Sequence, residues 1–189
     1  NLDARPDRRN HIEDELTKIE GVELIRLGAV SHPLPIVGCA LSHAAALARS
    51  SSNRGPVIVV EDDLEIIDPE GLKIAIKAFI DDPFIDVLCV GNNPMSPPRP
   101  WSETLSLTKD TQTTSCYVAK PNAVPLLLRT FLLSAERIIR GRPVTKYALD
   151  ILWKGLQVKR LVFAVPRQRV ARQRASWSDI ENRYVNYGI

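Results

Sequence analysis

Three consecutive acids, Glu61-Asp62-Asp63, follow the apolar run Val57–Val60 and are the residues whose types and spacing most directly suggest chemistry. The β-branched run is typical of a strand buried on both faces, and ligands of open α/β sheets bind beyond the carboxyl ends of such strands. Adjacent carboxylates raise one another's pKa, and a bound cation removes that repulsion. Oxygen ligands suit Mg²⁺ or Mn²⁺, which take part of their coordination shell from substrate phosphates. The triplet therefore predicts a divalent ion that bridges the protein to a diphosphate.

Two other interpretations of this acidic segment need no diphosphate. It is an acidic cap on a solvated strand end that leads into the turn at Asp68-Pro69, or it resembles the first strand of a response-regulator receiver domain. In receiver domains this strand opens the domain, whereas here 56 residues precede Val57. A receiver also needs an aspartate at the end of a later apolar strand, and Asp110 lies in Leu-Thr-Lys-Asp-Thr instead. The receiver interpretation is therefore the weakest of the three.

The elements that must position these acids alternate between strands and helices, which favours an α/β fold with a largely parallel sheet. Helices are predicted over 7–19, 38–49, 69–80, 121–139 and 145–153, and strands over 22–30, 57–60, 86–90, 104–108, 114–119 and 158–165. Residues 167–189 are predicted to be a tail of low regularity. The 189 residues predict one domain over 1–189, and the chain's start at Asn1-Leu2-Asp3 is interpreted as a first strand cut short.

Composition excludes several classes of protein. Hydrophobic residues make up 44% and charged residues 25%, which argues against disordered, collagen-like and disulfide-scaffold proteins. No apolar stretch is long enough to predict a membrane span. Three widely spaced cysteines, each among apolar neighbours, are interpreted as buried small side chains in a reducing compartment rather than as zinc ligands. They are Cys39, Cys89 and Cys116.

The charge distribution is uneven. Residues 151–178 contain seven lysines and arginines and no acid, and removing these seven from the net charge of +3 leaves −4 on the rest of the chain. The basic segment 154–174 predicts an anionic partner, such as an anionic membrane surface, unless it is only a solubilising strip. Nucleic acid is the weaker candidate, because no aromatic residue lies among the arginines at 167–174 and the first one after them is Trp177.

Four segments together resemble glycosyltransferase family 25, which includes lipopolysaccharide galactosyltransferases and collagen galactosyltransferases. They are Asn1–Arg9, Gly38-Cys39-Ala40-Leu41-Ser42-His43, Val57–Asp63 and Ser176-Trp177-Ser178-Asp179-Ile180, with Tyr117 and Ala123 as further matches. The segments occur in the family's order and cover nearly the whole chain.

The resemblance implies a GT-A-like (Rossmann-like) fold, with a mostly parallel central sheet flanked by helices, and a metal-dependent inverting transferase. It implies a UDP-sugar donor, Mn²⁺ (or Mg²⁺), and transfer of a hexose, most often galactose, to a hydroxyl of a glycan, lipopolysaccharide or protein acceptor. The corresponding location is the cytoplasm, with peripheral attachment at the inner membrane, or the secretory-pathway lumen in a eukaryote. The alternative is a non-catalytic nucleotide-sugar binding module or the donor half of a larger enzyme.

The resemblance also assigns roles to the acids. Asp63 is expected to ligate the metal, Asp62 to touch the donor sugar, and Glu61 to reach the ribose or a metal-bound water. Glu61 and Asp63 share one side if the strand continues that far, since side chains alternate along a strand. Asp150 is expected to be the general base, unless it is a helix-surface acid paired with Lys146 or Lys154.

The remaining assignments concern the nucleotide and the basic tail. The resemblance places Asn1, Leu2, Arg5 and Arg8 in the nucleotide pocket, although Arg8 has an alternative pairing with Glu13 or Asp14 on its own helix. Ser42 is expected to contact the donor or to cap its helix, and His43 to be a hydrogen-bonded core histidine. The tail arginines are expected to close over the diphosphate or to hold an anionic acceptor; they are Arg167, Arg169, Arg172 and Arg174.

Overall fold

A computed structural model describes residues 1–19, 21, 23–52 and 54–186. The helices are α1 (Pro6–Leu16), α2 (Pro35–Ser50), α3 (Pro69–Asp81), α4 (Val124–Ile139), α5 (Val144–Tyr147), α6 (Leu149–Leu152) and α7 (Lys154–Lys159). The strands are β1 (Val57–Val60), β2 (Leu64–Ile66), β3 (Val87–Pro94), β4 (Arg99–Pro100), β5 (Leu105–Thr108), β6 (Thr111–Ala119), β7 (Phe163–Pro166), β8 (Ala171–Gln173), β9 (Ser176–Ser178) and β10 (Arg183–Val185).

Six of these strands form a mixed central sheet in the order β1-β6-β3-β7-β5-β4. Strands β3 and β7 pair in parallel, whereas the other four neighbouring pairs are antiparallel. The α/β class is confirmed, but the prediction of a largely parallel sheet is wrong. Parallel pairing needs a long crossover, which α4 to α7 supply before β7, while the connections from β3 through β6, all within the described residues, contain no helix.

Helices cover both faces of the central sheet because its strands are apolar on both faces. Val87 and Cys89 of β3 face the side that packs against α2 and α4, and Leu88 and Val90 face the side that packs against α1 and α3. This alternation is the period-two pattern of a strand. On the first side, the rings of fully buried aromatic residues pack edge to face, as Trp153 does on Phe163.

The edge of the sheet at which the acidic triplet lies is irregular. Strands β1 and β3 run in the same direction because each pairs antiparallel with β6, so their carboxyl ends lie at one edge. The β3–β6 register shifts twice at this edge, on either side of Gly91. A Cβ atom at Gly91 would collide with the Ser115 hydroxyl, so any other residue here would require that side chain to rotate away. Such bulges re-aim side chains, and they are frequent beside functional sites.

Helix α3 shows how local signals set an element. The Asp68 side chain accepts a hydrogen bond from the backbone N–H of Gly71 at 2.9 Å, and Pro69 occupies the first turn. Its apolar side buries Leu72 and Phe79 against the sheet. The predicted helix over 69–80 is therefore confirmed.

Three predicted elements differ from the structure. Residues 23–30 form no strand, and Val22 lies outside the described residues; Leu24 and Ile25 are exposed, so no buried face supports the predicted alternation. The helix predicted over 145–153 is divided into α5 and α6 by the extended backbone of Ala148. The strand predicted over 158–165 begins only at Phe163, because α7 continues to Lys159.

The tail is more regular than predicted. Strand β8 pairs antiparallel with β2, and β9 and β10 form a hairpin, while residues 187–189 lie outside the described part. The β2–β8 pair brings the tail beside the acidic triplet, which immediately precedes β2. Within the described residues, no helix combines the length and apolar character needed to cross a bilayer.

Candidate functional site

The site is built where β1 ends and the chain turns into β2. The Glu61 N–H still donates to the Ser115 carbonyl of β6 at 2.8 Å, but Asp62 and Asp63 lie in a turn. Side-chain alternation therefore stops before Asp63, and the condition for Glu61 and Asp63 to share one side is not met. The triplet divides into two parts: Asp62 and Asp63 face the N-terminal loop and the start of helix α1, whereas Glu61 faces helix α2.

The N-terminal loop and the first turn of helix α1 supply partners of Asp62 and Asp63. Arg8 Nη2 lies 2.8 Å from Asp62 Oδ1 and 2.5 Å from Asp63 Oδ2, and Asn1 Nδ2 donates to Asp62 Oδ2 at 2.8 Å. Among the described contacts, the alternative pairing of Arg8 with Glu13 does not form; Arg9 makes that contact at 2.7 Å. Asn1 and Arg8 thus meet two of the three acids in one place.

Leu2 and Arg5 lie in the same loop but have other contacts. The Leu2 carbonyl accepts the N–H of Arg5 at 3.0 Å, which closes a turn before α1. The Arg5 guanidinium pairs with Asp179 at 2.8 Å and with Asp7 at 2.9 Å. Arg5 therefore links the loop to the Ser-Asp-Ile segment of the tail, and the described contacts do not join it to the acids.

The tail closes over Asp63 from the other side. Gln173 Nε2 donates to Asp63 Oδ2 at 3.0 Å, and the Arg174 N–H donates to the Asp63 carbonyl at 2.7 Å. Burial, with the nearby charge of Glu61, raises the pKa of Asp63 to about 6, although Arg8 and Gln173 oppose the shift. Asp63 is thus a buried acid between two segments that are distant in sequence.

Two buried polar atoms at this point lack a hydrogen-bond partner among the described residues, and both suggest a ligand. They are Asp63 Oδ1, an acceptor, and Arg8 Nε, a donor. Buried polar atoms without a hydrogen-bond partner are rare. A carboxylate oxygen is the kind of ligand atom that Mg²⁺ and Mn²⁺ prefer. Asp63 Oδ1 is therefore suited to bind a divalent metal ion, and the Arg8 Nε–H is suited to donate a hydrogen bond to an anion beside that ion.

Glu61 has a different environment. Its Oε1 lies 3.1 Å from His43 Nε2 and accepts the Thr114 hydroxyl at 2.7 Å, and His43 Nδ1 lies 3.3 Å from the Tyr117 hydroxyl. Burial would raise the pKa of Glu61, but the contacts to His43 and Thr114 outweigh it and lower the pKa. Glu61 is therefore a stabilised anion.

Cys39 completes a group that sequence reasoning missed. The Cys39 thiol, His43 and Glu61 each offer a ligand atom, and these atoms lie within 4.8 Å of one another, so the group has the donor set of a metal site. Burial, and then the charges of Glu61 and Asp150, raise the pKa of the Cys39 thiol. The available signal was the spacing of Cys39 and His43, which are one helical turn apart on α2; their meeting with Glu61 depends on tertiary structure.

Asp150, the predicted base, lies on α6 against the irregular part of β6. Its Oδ2 accepts the Thr113 N–H at 3.4 Å, and burial raises the pKa of Asp150. Lys154, one of its suggested partners, pairs with Asp110 at 2.5 Å instead. Thr113 has a φ of 74°, a left-handed conformation that a β-branched residue rarely adopts. Such strain persists where surrounding structure holds it, and it clusters at functional sites.

Ser42 has a structural role. Its hydroxyl donates to the Gly38 carbonyl at 2.7 Å and accepts the Val30 N–H at 2.8 Å. A Cβ atom at Gly38 would lie 2.5 Å from the Val30 carbonyl, so this close approach requires glycine. Ser42 therefore anchors residues 23–30 to α2, and the described contacts do not bring it to the acids.

No protein-family model and no curated protein matches this chain. Among solved structures, it is similar to mannose-1-phosphate geranyltransferase from Thermus thermophilus, with 15% sequence identity and a TM-score of 0.38. The match covers 78% of this chain and 53% of that one, so the chain spans about half the length of that neighbour. A likeness of this size assigns neither a fold family nor a function.

Proposed function

We propose that this chain is a metal-dependent inverting glycosyltransferase with a GT-A-like fold, similar to family 25, that transfers a hexose from a UDP-sugar to an acceptor hydroxyl. The observation that carries the proposal is the convergence of Asp62, Asp63 and Arg8 at the end of β1, where Asp63 Oδ1 and Arg8 Nε are buried without a partner among the described residues. An acceptor atom and a donor atom side by side suit a cation and an anion bound together, as in a metal diphosphate.

The residues of the site divide the binding work. Asp63 would hold the Mn²⁺ or Mg²⁺ ion, which would neutralise charge on the leaving diphosphate. Arg8 would donate to the diphosphate from the opposite side, and Asn1, which donates to Asp62 at 2.8 Å, would hold this carboxylate in place for contact with the donor sugar. Gln173 and Arg174 hold the tail across this corner, which helps to exclude water from the reacting atoms.

Asp150 is the proposed general base. In an inverting transfer the acceptor oxygen forms a bond to the anomeric carbon as the bond to the diphosphate oxygen breaks, and the hydroxyl proton must leave. A carboxylate whose pKa is raised by burial accepts a proton more readily at neutral pH than an ordinary aspartate does. The leaving UDP carries away the bonding electron pair, and its new charge is what Arg8 would stabilise.

A panel of UDP-sugars, scored for UDP release with and without Mn²⁺ and with glycan acceptors, tests the function. We expect Mn²⁺-dependent release for one donor, and at least about a hundredfold loss of metal-dependent donor affinity in Asp63→Ala. Asp81→Ala is the matched control, because Asp81 is an exposed helix acid paired with Lys77.

Donor binding without release, for every donor and acceptor in the panel, would instead favour a nucleotide-sugar binding module or the donor half of a larger enzyme. Unchanged donor affinity in Asp63→Ala would overturn the metal assignment. Loss in both variants would show that the effect does not come from the site.

A further inference from the structure

A second charged cleft lies beside the proposed site, along the β2–β8 pair. Its volume is about 440 Å³, and among the described residues three arginines and one acid contribute to its lining. These residues are Arg169, Arg172, Arg174 and Glu65. We call it the arginine cleft; the proposed function uses two of its lining residues, Gln173 and Arg174, only to hold the tail across Asp63.

Glu65, the acid among the described residues of the arginine cleft, is bound by Arg172. Arg172 Nε and Nη2 donate to the two carboxylate oxygens of Glu65 at 2.9 and 3.0 Å, a two-pronged pair that ties β8 to β2. Beyond this pair, Arg169 and Arg174 bring two more positive charges to the lining. Since residues 151–178 contain no acid, the segment that carries these arginines is basic throughout.

The arginine cleft is separate from the proposed metal site at Asp62, Asp63 and Arg8, which we call the metal corner, but adjoins it. Asp62, Asp63 and Arg8 are not among its lining residues, whereas Gln173 lines the cleft and donates to Asp63 at 3.0 Å. A diphosphate held at Asp63 and an anion held in the cleft would therefore occupy different places. Arg174 also lines the cleft, and its N–H donates to the Asp63 carbonyl at 2.7 Å, so Gln173 and Arg174 join the two places.

We propose that the arginine cleft binds a phosphate-bearing group of the acceptor while its hydroxyl lies at the metal corner. The guanidinium fork matches phosphate oxygens in geometry as well as charge, which favours phosphate over a simple carboxylate. That the bound phosphate belongs to a glycosyl acceptor rests on the proposed function, whereas the binding of an anion in the cleft does not. The phosphate can belong to a lipid headgroup or to a soluble phosphorylated sugar, and the two sources share this chemistry.

The test measures binding of inorganic phosphate, without Mn²⁺ or nucleotide, by equilibrium dialysis at low ionic strength. We expect Arg169→Gln/Arg174→Gln to weaken binding at least about tenfold, because two charge-assisted contacts are lost. The matched control is Arg49→Gln/Arg160→Gln, which removes the same charge from exposed positions elsewhere and should leave affinity within about twofold. Equal affinity in the two double variants, or no saturable binding by the unmodified chain, would overturn the proposal.

Two further arms identify the source of the phosphate and protect against misfolding. Glucose 6-phosphate and phosphatidylcholine vesicles containing phosphatidic acid are compared as ligands. The source of the phosphate is the ligand whose affinity falls in Arg169→Gln/Arg174→Gln. If neither affinity falls, the result contradicts an acceptor role for the cleft. Should the double variant fail to fold, Arg174→Lys keeps the charge but loses the fork, and unchanged phosphate affinity there also counts against the proposal.

Failure of this inference can be told apart from failure of the proposed function. Asp63→Ala should lose metal-dependent UDP-sugar binding while keeping phosphate affinity in the cleft. If phosphate binding depends on the arginines but no donor releases UDP, the anion site is supported and the transferase function is contradicted.

Discussion

Glu61 and Asp150 both carry partly buried carboxyl groups that accept hydrogen bonds from consecutive residues of β6. The number and length of these hydrogen bonds differ between the two groups. Glu61 accepts the Thr114 hydroxyl at 2.7 Å and lies 3.1 Å from His43 Nε2, whereas the described contact to Asp150 is the Thr113 N–H at 3.4 Å. Their pKa values consequently shift in opposite directions: that of Glu61 is lowered and that of Asp150 is raised. Hydrogen bonding to the charged form, rather than burial, makes the difference.

We expect this difference to separate a group that stays charged, Glu61, from the proposed base, Asp150. Pairs of titratable groups whose surroundings push their pKa values apart mark the acid and base assignments of an active site. Glu61, bonded on one oxygen by two donors, is suited to remain charged and to hold His43 and β6 in place. Asp150, with one long hydrogen bond, is suited to take up and release a proton. Thr113, whose backbone is left-handed, donates its N–H to Asp150.

The largest expected effect is on the rate of transfer, which should depend on Asp150 far more than on Glu61. Asp150→Asn keeps the shape and the acceptor oxygen facing Thr113 but removes the base, so we expect transfer to fall by a factor of about 10²–10⁴. Affinity for UDP-sugar with Mn²⁺ should stay within about twofold. Single-turnover transfer and donor titration measure the two quantities.

The companion variant is Glu61→Gln, which should lower transfer far less because Glu61 is not expected to move a proton. Equal losses of transfer in the two variants would remove the distinction between anion and base. Full transfer in Asp150→Asn would mean that another group takes the acceptor's proton.

The next effect separates Glu61 from an ordinary surface acid by stability. Glu61→Ala leaves His43 and Thr114 without their shared partner, and we expect a loss of about 2 kcal/mol in the free energy of unfolding. Glu65→Ala is the control, since Glu65 forms an exposed pair with Arg172 and should cost less than about 1 kcal/mol. Urea unfolding of both variants gives the comparison, and similar costs would show that the His43 network contributes no special stability.

Local sequence signals predicted the elements that they control and missed those set by partners. The run Val57–Val60 and the Asp68-Pro69 helix start needed no tertiary information, and both elements formed where predicted. Residues 23–30 carry strand-like residue types, but the described part of the chain pairs no strand with them. Strand direction was also misjudged, because the threonine-rich stretch before Ala119 enters the sheet through loops instead of a helix.

The site follows the same division. The resemblance places Arg8 in the nucleotide pocket and the acids at the metal and the donor sugar, and the Arg8 side chain contacts both Asp62 and Asp63. The contact of His43 with Glu61 was not foreseen, since it joins α2 to the end of β1 across the sheet edge. The left-handed Thr113 was invisible to sequence rules, which place threonine in extended strands.

The smallest expected effect uses Asp150→Asn again, now as a probe of stability. The raised pKa of Asp150 means that the folded chain holds this proton more tightly than the unfolded chain, in which the group has its ordinary pKa of 3.8. As pH rises through the interval between these two pKa values, the unfolded chain ionises first and the folded state loses stability; above the raised pKa the loss is complete. Asn cannot ionise, so the variant should be more stable than the unmodified chain at neutral pH, by about 1 kcal/mol, and the two should converge in acid. Urea unfolding across this pH range in the presence of a chelator measures the gap. A variant that is less stable at neutral pH would show that the fold stabilises the Asp150 carboxylate as it does that of Glu61, and the contrast between the two groups would disappear.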